Sequence, residues 1–396
     1  MKEKMFALID ALKPELSAMS DDIYDHPEVG LTEVHASALL TEWLEKRGFA
    51  VERGVGGLPT AFRAVYRRGE GGPRIGLLCE YDALPALGHA CGHQMQGPCI
   101  LAAAAALKDS GLPGPFSVVV YDTPAEETEG GKILMLKNGD CFHDIDVALM
   151  MHGSGETTTD VKSMALTNFF VAYRGTAAHA AIKPELGRSS LDAMSLAFHG
   201  VECLREHVKE DTRIHYNVTD GGGTGANTVP AFTKAQFYVR SYNRAYLESV
   251  IARFLKVLYG AAMMTETEVE IERRKDVDNK IPALKLNDVI MENARAVNAP
   301  VIRPPRQKTG WTDLGNVMQL MPGSCIRVAF VPEGSPSHSQ AYLDAGKTET
   351  AHGAIVTGAK VLAATAADLI SVPGLLDEIK KEFATRKAQL EAESRA

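Results

Sequence analysis

Apolar residues recur three and four positions apart at the start of the chain, at Met5, Ile9, Leu12, Leu16, Met19 and Ile23, a spacing that predicts an amphipathic helix. A second helical stretch runs from about Ala36 to Lys46 and stops at Gly48, a residue suited to a helix C-terminus. The rhythm then changes. Arg74 to Cys79, Phe116 to Tyr121 and Val147 to Met151 are short runs that predict buried strands, with helical segments near Ile100 to Leu107 and Lys132 to Lys137 between them. Strand and helix in alternation imply an α/β layer, in which ligands bind beyond the carboxyl ends of the strands.

From about residue 164 the order becomes strand (Ala165 to Tyr173), helix (Ser190 to His207), strand (Arg213 to Val218), strand (Phe232 to Val239), helix (Leu247 to Tyr259) and strand (Glu266 to Glu272). That is the split β-α-β order of ferredoxin-like modules, and it predicts an inserted domain. Helical and strand patterns resume at Leu284 to Val297, Ser324 to Val331 and Glu349 to Leu369, and the charged segment Gly374 to Ala396 predicts a surface helix. The expected fold is α/β: a mixed sheet flanked by helices, in two parts at 1–163 and 278–396, with an α+β insertion at 164–277. No internal repeat or low-complexity linker is visible.

Composition narrows the function classes. A chain of 396 residues exceeds what one core usually supports, so two domains are expected. Lys and Arg total 42 against 50 Asp and Glu, a net charge of −8 with no long basic block, which argues against nucleic acid and anionic membrane as partners. Asp10, Lys13 and Glu15 interrupt the first helix, so it does not read as a signal peptide. The apolar run Ile100 to Leu107 is far short of the ~20 residues of a membrane span. Six cysteines are scattered without disulfide-framework spacing, which fits a reducing cytoplasm.

The candidate chemistry lies where predicted strands end. Cys91-Gly92-His93 places a thiol and an imidazole two residues apart, so that in an extended loop both can face one point. Alone this is a weak signal, since buried Cys and satisfied core His are common. Glu126 and Glu127 are adjacent carboxylates after an apolar run and repel each other unless something positive is close. If the chain there is extended the two diverge, one to bind metal and one to exchange a proton with water; a solvated acidic loop is the plainer alternative. His152 follows Val147 to Met151, and His338 sits in Ser335-Pro336-Ser337-His338-Ser339; each is equivocal alone. Together, thiolate, imidazole and carboxylate suit zinc, manganese or cobalt better than magnesium or calcium.

Within the insertion, His179 is flanked by small residues and could donate to an oxyanion or pack inside the domain. Asn227 and Arg240 offer an amide and a guanidinium, the latter shaped for a carboxylate, although a strand-end Arg is more often solvated. His199, His207 and His352 fall in helical stretches and His143 and His215 beside charged residues, so no chemistry is assigned to them; His26 and His89 stay open. The Gly-rich run 221–225 lacks the setting and the Lys of a phosphate loop.

Taken together, Gly88-His89-Ala90-Cys91-Gly92-His93, Pro124-Ala125-Glu126-Glu127, Met151-His152, Ala178-His179-Ala180, Asn227-Thr228-Val229-Pro230, Thr312-Asp313-Leu314-Gly315-Asn316 and His338-Ser339 resemble the aminoacylase and carboxypeptidase group of metallo-amidohydrolases. Glu80-Tyr81-Asp82-Ala83-Leu84-Pro85 narrows the likeness to the branch containing p-aminobenzoyl-glutamate hydrolase subunits, hippurate and auxin-conjugate hydrolases. The resemblance runs in order from about His26 to the helix before Ala367.

The resemblance implies a metallopeptidase-like catalytic domain with two divalent metal ions, interrupted by a lid that also mediates homodimerisation. Cys91 would bridge the metals, His93, Glu127, His152 and His338 would complete their ligands, and Glu126 would be the general base. His179 would stabilise the oxyanion, reaching into the partner subunit's site, and Asn227 and Arg240 would hold the substrate's amide or carboxylate. The sequence departs from the pattern at three places. Gln94, Met95 and Gln96 follow Cys-Gly-His where Asp or Asn is usual, Gly153 stands where Pro is usual, and bulky Trp311, expected against substrate, replaces a small residue. The expected activity is hydrolysis of a small N-acyl or aminoacyl amide. A hydrolytic deaminase of an aromatic amine and a partner-dependent or non-catalytic subunit are the alternatives.

Overall fold

The apolar runs around Leu77, Val119 and Leu149 form the middle of an eight-stranded sheet in the computed structural model, which describes residues 1–394. In chain order its strands are β1 (Ala50–Arg53), β2 (Phe62–Arg68), β3 (Arg74–Cys79), β4 (Phe116–Asp122), β5 (Val147–Ser154), β6 (Thr158–Ser163), β11 (Arg306–Thr309) and β12 (Gly323–Ala329). Across the sheet they run β1-β2-β4-β3-β5-β12-β6-β11. β3 pairs in parallel with β4 and β5, and β5 with β12, so four strands end along one edge. β2 and β6 flank this parallel centre in antiparallel register.

Side chains alternate across a strand, and both faces of this centre are apolar. Leu77, Val118, Val120 and Leu149 enter one core with α1 (Lys2–Asp25), α2 (Val34–Lys46), α3 (Gln96–Asp109), α7 (Leu284–Ala296) and α10 (Glu349–Ser371). Leu78, Val119, Tyr121, Ala148 and Met150 enter the other, with Met135 of α4 (Gly131–Asn138) and Val317 of α8 (Leu314–Val317). Two further helices, α9 (Gln340–Ala345) and α11 (Leu375–Glu393), follow β12. The expected surface helix is thus present as α11, with Leu375, Leu376, Ile379 and Phe383 buried; Arg395 and Ala396 lie outside the described residues. α10 is long and apolar enough to cross a membrane by length and composition, a feature the run Ile100 to Leu107 did not reveal. Its apolar side chains are instead buried in the core.

Residues 1–162 and 280–388 make up this unit, and residues 163–279, with the stretch from Gln389, form a second. The second holds β7 (Ala165–Arg174), α5 (Ser190–Arg205), β8 (Arg213–Asp220), β9 (Phe232–Ser241), α6 (Arg244–Thr265) and β10 (Glu268–Val277). Its four strands form an antiparallel sheet in the order β10-β7-β9-β8. Every second residue of β9 is buried, and Phe237 and Val239 pack with Leu247 and Phe254 of α6. α6 starts at Arg244 because Asn243 caps it, its side-chain oxygen accepting from the Tyr246 amide at 3.0 Å.

β1, β2, β6 and β11 are absent from the sequence reading because their polarity hides them. β6 reads Thr-Thr-Asp-Val-Lys-Ser, yet Thr158, Thr159 and Asp160 are buried. Asp160 is tolerated there because Lys280 Nζ reaches it at 2.8 Å and Arg327, from β12, donates to both oxygens through Nε and Nη2 at 3.0–3.2 Å. Burial alone would raise its carboxyl pKa; the two cations more than offset that and hold it below the ordinary range. A carboxyl with a depressed folded-state pKa stabilises the fold above its unfolded value of ~3.9, and that contribution is lost as pH falls through the folded value. Asp160→Asn leaves two buried cations without their counter-charge and is expected to cost ~3–5 kcal/mol at neutral pH. Urea denaturation checks this, with the gap to wild type closing as the medium is made acidic.

Candidate metal and catalytic site

The parallel centre determines where the chemistry collects. The segments that follow β3, β4 and β12, together with the end of β5, carry every candidate ligand of the first unit. Cys91, His93 and His152 place their donor atoms within 4.8 Å of one another, as do Cys91, Glu127 and His338, and again His93, Glu126 and Glu127. All five expected metal ligands and the expected base are therefore brought together.

The local geometry differs from expectation at three points. The Cys-Gly-His loop is not extended: Gly92 takes φ 85°, which suits a residue without Cβ, and turns His93 back towards Cys91. Glu126 and Glu127 lie in a turn, entered through Ala125 at φ 57°. A left-handed alanine costs ~1–2 kcal/mol, and a buried carboxylate offsets that, since Glu33 accepts the Ala125 amide at 2.8 Å and the Thr60 hydroxyl at 3.1 Å. His152 lies inside β5 and not beyond it, with Nδ1 2.8 Å from the Gly153 carbonyl and Nε2 3.5 Å from Cys91 Sγ.

Asp82 ties the site together: one oxygen lies 3.0 Å from His93 Nδ1, and the other accepts the Glu127 amide at 3.0 Å. His93 Nε2 is thereby turned inward, buried and without a hydrogen-bond partner. His338 Nε2 lies 3.1 Å from Glu127 Oε1. Behind them Lys132, fully buried, bridges Glu80 at 2.6 Å and Asp313 at 2.7 Å, and Glu80, Glu126 and Asp313 cluster within 4.8 Å. Gln96 donates to Glu80 at 2.9 Å, so one departure from the family pattern supports the acidic cluster. Another is explained by packing: a Cβ on Gly153 would stand 2.6 Å from Met95 and 2.7 Å from Phe330.

Electrostatics assign protonation states. Burial, reinforced by the Glu80 and Glu127 charges, pushes the Glu126 carboxyl well above the ordinary range. Burial opposes ionisation of Glu127 too, but the His338 hydrogen bond and the His93 charge hold it at about 2. His152 is pushed down to about 3 by burial and by Arg327 and His93, which leaves a neutral imidazole free to bind a cation. Burial pushes the Cys91 thiol up to about 12, so a thiolate there calls for a positive charge beside it. The inward His93 nitrogen, without a hydrogen bond and 3.3 Å from a Glu80 oxygen, and the mixed thiol, imidazole and carboxylate donors fit a divalent first-row metal. Glu80, Asp82, Lys132, Asp313 and Glu33 were not assigned roles from sequence. Glu80-Tyr81-Asp82 and Thr312-Asp313 stood in quoted motifs, whereas nothing local marks Lys132 or Glu33.

The site opens into a cleft of about 440 Å³, lined among others by Trp311, Arg306, Lys308 and Tyr342. In the second unit, His179 and Asn227 are neighbours: His179 pairs with Thr228, and the Ala180 amide donates to the Asn227 carbonyl at 2.9 Å. Arg240 is not with them. It pairs with Leu166 at the far end of β9, roughly 27 Å beyond Phe232 at ~3.4 Å per residue. Arg240 is half-buried, its Nε without a hydrogen bond and its guanidinium 5.4 Å from the Tyr238 ring.

Residues 78–368 match peptidase family M20/M25/M40, and the chain belongs to that family. It is an enzyme acting on amide bonds, of a divalent-metal-dependent class. The mouse Xaa-Arg dipeptidase is 35% identical over 97% of this chain and 92% of its own length. One p-aminobenzoyl-glutamate hydrolase subunit of Escherichia coli (strain K12) is 30% identical over 94% of this chain and 93% of its own. Among solved structures, a dinuclear metal binding peptidase of the M20 family from Bacillus subtilis superposes with a TM-score of 0.70 at 18% identity, covering 91% of this chain and 99% of that one. That likeness bears on the fold.

Asp82 fixes the ring of one candidate ligand, His93, and the backbone of another, Glu127, so any effect it has on a bound ion acts through them. Replacing such a partner typically costs ~10–100-fold in metal affinity. Asp82→Ala is expected to lose affinity in that range, measured by competition with a chromogenic chelator, while circular dichroism stays unchanged.

Proposed function

We propose that the chain is a hydrolase of an amide bond in a small N-acyl or aminoacyl compound, using two divalent cations, zinc, manganese or cobalt. The observation that carries this reading is the convergence of Cys91, His93, Glu127, His152 and His338, with Glu126 buried beside them and His93 Nε2 turned inward without a hydrogen bond. Cys91 would be shared between the two cations. When bound, the cations would polarise the scissile carbonyl and lower the pKa of a water towards ~7.

The protein's own groups handle the proton. Glu126, shielded from solvent and with a raised pKa, takes it from the attacking water and delivers it to the departing nitrogen. Asp82 and Lys132 hold the ligands and acids in place. In the same proposal His179 donates to the developing oxyanion. Asn227 and Arg240 grip the substrate's amide or carboxylate, and Trp311 walls the cleft. His179 and Asn227 stand at the opposite end of β9 from Arg240, which supports a homodimer, because one copy of the second unit cannot bring both groups to one small molecule. The six cysteines stand as free thiols, compatible with a cytoplasmic location. A second reading, one component of a two-subunit hydrolase, is favoured by the name of the E. coli relative, itself a subunit.

Elemental analysis of purified protein is expected to find two divalent ions per chain, and Glu126→Gln to retain both while kcat falls ~10²-fold or more. Wild-type turnover in that variant would remove Glu126 from the mechanism. Analytical ultracentrifugation of the active species is expected to give twice the chain mass. A monomer with full activity would dismiss the homodimer, and activity that needs a second, different chain would favour the two-subunit reading.

A further inference from the structure

The C-terminal end of α1 is short of positive charge. The end of the helix carries Asp21, Asp22 and Asp25, with no basic residue in its last turn, although that end of a helix is its negative pole and favours cations. Two of these acids find a partner elsewhere in the chain: Lys347 Nζ lies 2.7 Å from Asp25, and His352 Nε2 lies 2.9 Å from Asp21. Asp22 has neither lysine nor arginine beside it among the described residues. It faces two imidazoles instead, its Oδ1 standing 2.9 Å from His26 Nδ1 and 3.2 Å from His35 Nε2.

This is a donor set of its own, outside the catalytic cluster. The three donor atoms lie within 4.8 Å of one another, and the two rings have their centroids 4.6 Å apart. All three side chains are open to solvent, at 37–59% exposure, so water can complete a coordination shell. Donors on a tetrahedral zinc lie ~3.3–3.5 Å apart at bond lengths of ~2.0–2.2 Å, so small side-chain movements bring these three into place. Two imidazoles and a carboxylate suit zinc, and imidazole also suits nickel and copper. On binding, each ring would carry its proton on its other nitrogen, and His26 would give up the contact of its Nδ1 with the Asp22 carbonyl at 2.8 Å.

The segment between the two histidines, residues 27–34, is fastened to the catalytic loops. Glu28 accepts the Ala83 amide through its carbonyl at 2.7 Å, and Val29 bridges to Ala83, the neighbour of Asp82. Glu33 accepts the Ala125 amide, which sets the turn leading into Glu126 and Glu127. Gly30 lies so close to that turn that a Cβ there would stand 2.1 Å from Thr128 Oγ1 and 2.8 Å from the Ala125 Cβ.

We propose that Asp22, His26 and His35 bind one divalent cation, zinc or a neighbouring first-row metal, and that this ion clamps both ends of segment 27–34, fixing the segment against the turn that carries Glu126 and Glu127. The site does not depend on what the catalytic cluster binds or hydrolyses.

Full-length protein dialysed against buffered zinc at neutral pH tests the site by metal content. His35→Gln and Asp22→Asn, both at solvent-exposed side chains, are each expected to hold one zinc ion fewer per chain than wild type. The same one-ion difference is expected when His35→Gln is added to His338→Ala, a change that damages the catalytic cluster, so failure of the catalytic reading alters the total and leaves the difference. Deuterium exchange tests the clamp. Zinc is expected to slow exchange in peptides covering 27–34 and 123–130 of the wild type, and part of that protection is expected to be lost in His35→Gln. Equal zinc content in wild type and both variants overturns the site and leaves Asp22 as a hydrogen-bonded partner of two imidazoles. A one-ion difference with identical exchange in wild type and His35→Gln overturns the clamp.

Discussion

Carboxylates cannot be crowded at one sheet edge, away from bulk water, unless positive charge stands among them. Glu80, Asp82, Glu126, Glu127 and Asp313 are crowded in that way here, and the cation built into the protein at their centre is Lys132. Lys132 serves Glu80 and Asp313. Glu127 relies on His338 and on His93, itself held by Asp82, while Glu126 is left as the acid whose charged form is most disfavoured. The arrangement sorts neighbouring carboxylates into different states, some ionised and one inclined to keep its proton. Two groups of the same chemistry thereby differ in basicity, Glu126 being the more basic and Glu127 the less.

The sheet makes this crowding possible. Four parallel strands deliver their following segments to one edge, so residues as far apart in the chain as Cys91 and His338 meet. The strain at the site is local, at Ala125 and His338, whose φ values are 57° and 60°, and at Ala125 a buried hydrogen bond to the Glu33 carboxylate compensates it. The same edge continues past β5 to β12, β6 and β11, where the charge reverses. The cleft is therefore lined by the carboxylates of Glu80, Glu126 and Glu127 and, towards β12 and β11, by Arg327, Arg306 and Lys308.

The departures from the family pattern have a packing logic. Gly153 is glycine because Met95 and Phe330 occupy the space a side chain would need. Gln96 takes a place in the polar network by donating to Glu80 and accepting its amide through the side-chain oxygen at 3.1 Å. Changes that look independent along the chain turn out to be neighbours in the fold.

Much of this was legible in the residues. Periodicity gave the buried strands and the long helices, because period 2 and period 3.6 are written into any segment that buries one face. Motif spacing gave the candidate ligands and the base, because a metal restricts which side chains can serve it. Other features were settled only by tertiary contact. β6 has no apolar rhythm and is a strand because Asp160 finds Lys280 and Arg327 from distant segments. Lys132 and Glu33 carry no local mark and matter through partners 181 and 92 residues away. The separation of His179 and Asn227 from Arg240 is set by the length of one strand, which motif order does not encode. Local sequence specifies the kind of element and the chemistry a residue offers; which charges stand together, and which protons are therefore held, depends on distances that exist only once the chain has folded.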